Sequence, residues 1–150
     1  MKLVVFVLEG NRFALRLDAV ERVVPAAACT PLPRAPRIVL GIINVAGRIM
    51  PVIALRRRFG LPHREMELSD QLILARTAHL SVALLVDSVS GVLEIADDQI
   101  MHPEAVVPGT AFIAGIARTP DGIVFIHDLD SCLSLEETAM LSTALSEAKV

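Results

Sequence analysis

The sequence contains no tryptophan and no tyrosine, and five phenylalanines supply all of its aromatic content. Proteins that read nucleic acids need a basic face and often stacking aromatics. Here the net charge is -3 and no basic run is longer than Arg56, Arg57 and Arg58, so nucleic acid is excluded as a partner. Only two cysteines occur, Cys29 and Cys132, far apart and without a Cys-x-x-Cys pair. In a cytosolic chain such cysteines read as buried small hydrophobes. The four histidines (His63, His79, His102 and His127) show no ligand-like spacing, which speaks against a metal site. No apolar run reaches the roughly 18 residues of a membrane span. The first six residues carry one positive charge and no small-residue cleavage site, and Glu9, Arg12 and Arg16 follow at once. This start reads as a strand and not as a signal peptide, so the expectation is a cytoplasmic protein without membrane insertion.

What the chain does have is aliphatic mass. Hydrophobic residues make up 53% of its 150 residues, and the mean hydropathy is +0.59. That length suits one domain, or two small subdomains sharing a core. Either the surplus builds a Val/Ile/Leu-rich β core with short loops, or part of it stays outside and meets a partner. Composition does not choose between the two.

The organising stretch is 39–55. It reads as two β-branched arms folded about a two-residue turn at Ala46 and Gly47, where glycine supplies positive φ. Pro51 lacks an N–H, which predicts a sheet edge or a bulge there. Residues 114–129 repeat the layout at one constant offset: Gly41 matches Gly115, Ile49 matches Ile123, Val52 matches Ile126 and Leu55 matches Leu129. In this second copy the turn reads as a widened type I turn over Thr119, Pro120, Asp121 and Gly122.

The rest of the chain follows the same doubling. Residues 3–8 and 12–17 form a hairpin about Glu9, Gly10 and Asn11, and 71–76 and 80–86 form another about Thr77, Ala78 and His79. After the first, Asp18 stands as an N-cap with Glu21 as its capping-box return, predicting one helical turn through Val20, Val23 and Val24. Asp87, Val89, Val92 and Leu93 mirror that pattern after the second hairpin. The proline-rich connection 25–36 has its counterpart in 97–109. A short helix over 56–59 stops at Gly60 and Pro62, and 129–133 corresponds to it. The charged segment 63–70 reads as a mobile loop or boundary, and the arginine triplet as a solvated helix face. Ser134 and Glu137 form a capping box for a C-terminal amphipathic helix that lies on the body of the protein, with a stripe of Leu135, Ala139, Leu141, Leu145 and Ala148. The chain thus reads as mainly β, with repeat halves 3–61 and 71–133 and a closing helix 134–148. A five-stranded sheet of such length buries its apolar face best by curling, so two small five-stranded barrels are expected.

No site for chemistry emerges. His127, Asp128, Ser131 and Cys132 are neighbours in sequence, yet successive strand residues point to opposite faces and do not converge. Asp97 and Asp98 read as a cap or turn, and no Gly-rich phosphate loop is present. The chain reads as a non-catalytic binding module without cofactor. The alternative is a barrel carrying an apolar small ligand or binding some other protein, although five-stranded barrels seldom have room inside.

Five blocks carry a resemblance: Pro33 to Pro36, Gly41-Ile42-Ile43-Asn44, Gly47 with Pro51-Val52-Ile53, Leu84-Leu85-Val86-Asp87 with Val89, and Ser134 to Glu137. In order and across nearly the whole chain they resemble the CheW family, the coupling proteins of bacterial chemotaxis. The resemblance implies two intertwined five-stranded barrels and a scaffold that links the cytoplasmic tips of chemoreceptors to the regulatory domain of a CheA-type histidine kinase. It further implies an apolar groove including Val20, Gly41 and Val86, with Arg22, Val23, Asn44, Val45, Ala46 and Gly47 contributing to kinase and receptor surfaces. The sequence departs from the family pattern in three places. Ala46 stands where the family usually has arginine, Arg22 where it has glutamate, and Ala54 where it has aspartate. These changes predict altered partner specificity, because charged rims set specificity more than affinity.

Overall fold

Each apolar run folds back on its neighbour through a short turn, of two residues in three hairpins and of four, Thr77 to Leu80, in the other. In the computed structural model, which describes residues 1–102 and 113–148, the hairpins are β1 (Lys2–Leu8) with β2 (Asn11–Arg16), β4 (Val39–Val45) with β5 (Arg48–Ala54), β6 (Gln71–Arg76) with β7 (Ser81–Val86), and β10 (Ile113–Thr119) with β11 (Gly122–His127). Between them lie β3 (Val20–Pro25), α1 (Leu55–Arg58), β8 (Ser88–Glu94) and the two-residue β9 (Ile100–Met101), and α2 (Leu135–Ala148) closes the chain. The strands form a six-stranded sheet, β8-β1-β2-β11-β10-β9, and a five-stranded sheet, β3-β6-β7-β5-β4.

The strand order crosses the chain's midpoint twice. The β1–β2 hairpin lies between β8 and β11, and the β6–β7 hairpin lies between β3 and β5. Each opening hairpin therefore completes the sheet of the other half. The joins are parallel, β2 to β11 through Ala14 opposite Ile126 and β5 to β7 through Val52 opposite Ala83. The registers of the two sheets correspond: Gly41 faces Val52 across a bulge as Gly115 faces Ile126. The bridge Thr30 to Ile42 in one sheet stands where Met101 pairs with Ile116 in the other.

Three apolar clusters follow. Leu3, Val5, Ala14, Val124 and Ile126 fill the six-stranded sheet. Ile43, Met50, Val52, Leu72, Leu74 and Ala83 fill the five-stranded one. The third and largest lies between the sheets and draws Phe6, Phe13 and Leu15 together with Ile73, Val82, Leu84 and Val86. Strands β1, β2, β6 and β7 are thus buried on both faces, which is why they read as continuous apolar runs. Fully burying one such side chain stabilises by roughly 1.5–3 kcal/mol, whereas an exposed ion pair contributes about 0–1 kcal/mol. The shared layer therefore decides the fold. Phe13 stacks on Phe59 at 4.7 Å and lies 5.6 Å from Phe125, so the phenylalanines among the described residues gather in this layer.

Several expectations need correction. Val20–Pro25 is a strand; the helical turn is a 3-10 turn at Leu17–Ala19 with no side-chain cap from Arg16. The β10–β11 turn is not widened, since Thr119 pairs with Gly122 as Val45 pairs with Arg48. Pro51 lies in neither an edge strand nor a bulge. Counting from the turn, Ile42 and Pro51 form a non-hydrogen-bonded pair, so the missing N–H costs the hairpin nothing. Pairing of β5 with β7 begins only at Val52. Segment 63–70 is anchored, with Arg64 on Asp70 at 2.7 Å and Asp70 buried. On α2 the buried residues are Leu141 and Ala144, with Leu145 packed beside them, while Leu135 is 85% exposed and Ala139 is exposed. Of the connection expected over 97–109, the part from 103 onward lies outside the described residues.

Gly41 is required by close approach. A Cβ there would sit 2.4 Å from the Thr30 carbonyl oxygen, while at Gly115 the nearest atom is a side-chain carbon of Ile100 at 2.8 Å. Gly41→Ala is expected to cost about 1–3 kcal/mol, the range of overpacking, and more than Gly115→Ala, because a backbone carbonyl cannot turn aside. Urea unfolding of the two variants measures this, and a Gly41→Ala protein as stable as the parent would contradict it.

Candidate protein-interaction site

The β4–β5 turn follows from its two central residues. Ala46 at φ 51 and Gly47 at φ 85 are both left-handed, which matches the twist of the flanking strands. The Gly47 amide donates to the Asn44 side-chain oxygen at 2.9 Å, which holds the turn closed. Just beyond it, Arg48 donates to Glu21 on β3 at 2.9 Å and to Ser81 at the start of β7, also at 2.9 Å. The hydrogen bond and charge of Arg48 hold the Glu21 carboxyl below its usual pKa.

This ion pair brings two separate sets of candidate residues to one end of the five-stranded sheet. Arg22, Asn44, Ala46 and Gly47 are exposed there, and Val20, Val23 and Val45 are half-buried. Arg22 has no ion-pair partner among the described residues. Two candidates lie elsewhere. Val86 is fully buried in the shared core, and Gly41 is buried beneath Thr30, so neither presents a side-chain surface here. Sequence reasoning missed Glu21, Arg48 and Ser81, which pin the patch, and Ile49, which stands 47% exposed beside the turn. Ile123, at the corresponding place on β11, is 54% exposed. That doubled, outward-facing isoleucine was the available signal.

Ala54 is not part of a surface. It is buried and its amide donates to the Ile38 carbonyl at 2.8 Å. At the matching position Asp128 accepts from the Asp130 amide at 3.2 Å and from the Ser131 hydroxyl at 2.7 Å. The alanine therefore gives up a helix cap, typically worth about 1 kcal/mol, and no contact charge.

At the other end of the parallel strands β5 and β7 lies a network that the sequence did not disclose. Arg56, expected on a solvated face, is buried. It pairs with Glu9, with both oxygens of Asp87 at 2.7 and 2.8 Å, and with the Pro62 carbonyl. Arg64 bridges Asp87 to Asp70. Burial alone would raise the Asp87 carboxyl, but hydrogen bonds from Arg56 and the Glu9 amide, with the charges of both arginines, hold it below its usual value. These contacts tie the β1–β2 turn to the β7–β8 junction. The remaining candidate chemistry is occupied with structure. His127 is buried edge-on against Phe59 at 5.2 Å, and burial brings its imidazole down to about 4. Burial pushes the Cys132 thiol up to about 12. Among the described residues no three His, Cys, Asp or Glu gather as a metal-ligand set, and no helix is long and apolar enough to cross a membrane. The sheets' interiors are filled by side chains, which disfavours the apolar-ligand alternative.

A doubled β module with filled cores and a pinned, exposed hairpin end is the architecture of an interaction protein. Residues 2–137 match the CheW-like domain. The chain is 30% identical to the chemotaxis protein CheW of Thermotoga maritima, covering 85% of this chain and 84% of that protein. It is 28% identical to CheW of Rhizobium meliloti, covering 91% and 89%. The crystal structure of scaffolding protein TtCheW from Thermoanaerobacter tengcongensis superposes with a TM-score of 0.83 at 34% identity, covering 91% of this chain and 94% of that one. The protein belongs to the CheW-like family. It is a non-catalytic chemotaxis adaptor, with a coupling role between receptors and CheA.

Two measurements test the network and the buried imidazole. Asp87→Asn leaves Arg56 without its bidentate acceptor. Breaking a buried pair costs roughly 3–5 kcal/mol, and because Asp87 is only partly buried the lower end, about 3 kcal/mol, is expected from chemical unfolding. A loss below the roughly 1 kcal/mol of a surface pair would show that the network does not hold the junction. For His127 the folded pKa lies below the unfolded value near 6.5, so the unfolded chain binds the extra proton. Stability is therefore expected to fall as pH drops from about 6.5 toward 4. The carboxylates, with unfolded values near 4, act mainly below pH 5. His127→Phe is expected to flatten the slope between pH 7 and 5; an unchanged slope would assign it to another group.

Proposed function

We propose that this protein couples the cytoplasmic tips of chemoreceptors to the regulatory domain of a CheA-type histidine kinase, and that it does so in the cytoplasm at receptor arrays. The observation that carries the reading is the Arg48–Glu21 pair at 2.9 Å, which fixes β3 beside the β4–β5 turn and makes one presentable face of Arg22, Val23, Asn44, Val45, Ala46 and Gly47. Ile49 supplies the apolar anchor beside it. Interfaces gain most of their energy from a few such anchors, with a charged rim setting the partner. The rim here is unusual for the family: Arg22 brings a positive charge and Ala46 brings none. We read this as tuning toward a particular kinase or receptor. Val20 contributes from the half-buried start of β3, while Gly41 and Val86 shape the frame from inside. The halves 3–61 and 71–133 are read as copies of one unit, supported by their corresponding registers.

Pull-down and calorimetry with the CheA-type regulatory domain and receptor tips of the same genome test the role. Binding to at least the kinase domain is expected. Ile49→Asp should weaken it about tenfold or more, the loss of at least ~1.4 kcal/mol, without lowering stability. If neither partner binds the parent protein, coupling is refuted; if Ile49→Asp binds as well as the parent, the contact lies on another face.

A further inference from the structure

Away from this face, α1, the segment before β4, the loop after α1 and the start of α2 line an open pocket of about 650 Å³ bounded by Arg37, Ile38, Arg57, Arg58, His63 and Glu137. Three guanidiniums meet one carboxylate there. That carboxylate is already engaged, because Glu137 accepts from Arg58 and from the Ser134 amide. Arg57 donates to the Arg37 backbone carbonyl, and the exposed Arg37 guanidinium and His63 ring make no hydrogen bond among the described residues. The Arg58 Nε is buried and has no acceptor either. An acceptor-poor cluster of this kind carries about two surplus positive charges in a protein whose net charge is -3.

We propose that this pocket binds a small phosphate-bearing molecule. A ligand with two negative charges balances the surplus, whereas a monocarboxylate leaves one guanidinium uncompensated. Guanidinium forks match phosphate oxygens bidentately, and the volume lies within the roughly 300–1,000 Å³ typical of small-molecule sites. The arginines are held from separate elements: Arg57 and Arg58 lie on α1, whose end is fixed by the Leu61 amide on the Arg56 carbonyl at 2.8 Å. Arg37 enters from the strand-leading segment whose next residue, Ile38, is buried. The site is thus built on the body of the protein and stands apart from the β3 and β4–β5 face, so its test does not depend on the coupling role.

The experiment titrates the full-length protein with inorganic pyrophosphate and inorganic phosphate by calorimetry and thermal unfolding, with sodium chloride and acetate at matched ionic strength as comparison. Saturable binding of the phosphates with a raised unfolding temperature is expected. Arg37→Gln and Arg57→Gln should each weaken it about tenfold or more, the loss of one charged hydrogen bond, while the exposed Arg118→Gln on β10 should not. Circular dichroism confirms that each variant is folded. A response no larger than that to chloride or acetate, or equal weakening by Arg118→Gln, would overturn the proposal.

Discussion

The structure depends on four strands that have no solvent face. Strands β1, β2, β6 and β7 turn one set of side chains into the interior of a sheet and the other set into the layer between sheets. Phe13 and Leu15 lie in the shared layer while Ala14 points the other way. Ile73 and Ala75 are shared while Leu72 and Leu74 fill the five-stranded sheet. A hairpin with two apolar faces cannot rest at the edge of its own half. It is stable only when flanked on both sides, and the flanking strands come from the other half. Exchange of hairpins is therefore a consequence of burial. Once they are exchanged, neither half retains a complete sheet alone, and the domain folds as one unit.

Such an arrangement has a weak point where the hairpins cross, because turns carry polar backbone into the joint. Glu9 adopts φ 49 there, a conformation a non-glycine residue rarely takes. Its amide donates to Asp87 and its carboxylate pairs with Arg56, so the strained residue is fixed from both ends. Buried ion pairs do not reliably stabilise relative to apolar packing, because desolvation offsets the attraction. What this one supplies is position: Arg56 and Arg64 meet the same carboxylate, which fixes α1, the 62–70 segment and the β7–β8 junction against one another.

Legibility in the sequence follows the range of the interactions. The existence of the hairpins, the Ala46 and Gly47 turn and the Ser134–Glu137 capping box depend on residues a few positions apart and match the structure, although the β10–β11 turn is tighter than its sequence suggests. The same local logic misread Val20 to Val24. The capping-box pattern of Asp18 and Glu21 pointed to a helical turn, but pairing with β6 satisfied those backbone groups, and Arg48 captured Glu21. Arg56 reads in the sequence as one of three solvated arginines, but Glu9 and Asp87 converge on it from distant segments, and Asp70 holds Arg64 against the same Asp87 carboxylate. No spacing rule shows that convergence. On α2 the expected stripe holds at Leu141 and Leu145 and fails at Leu135 and Ala139, which are exposed, while Ala144 is buried instead.

The same distinction bears on what has diverged. Of the three departures from the family pattern, the one at Ala54 is enclosed, and its effect ends in the lost cap of α1. Those at Arg22 and Ala46 lie outward on either side of the Arg48–Glu21 pair. Asn44 keeps the turn closed although Ala46 stands in place of the family's arginine, so the backbone of the turn is retained while that charge is not. A surface altered in this way keeps shape complementarity and changes long-range attraction. A rim charge acts chiefly on association rate and on the rejection of wrong partners. Under the proposed coupling role, the divergence at this face changes which partner is admitted and leaves the cores that support it undisturbed.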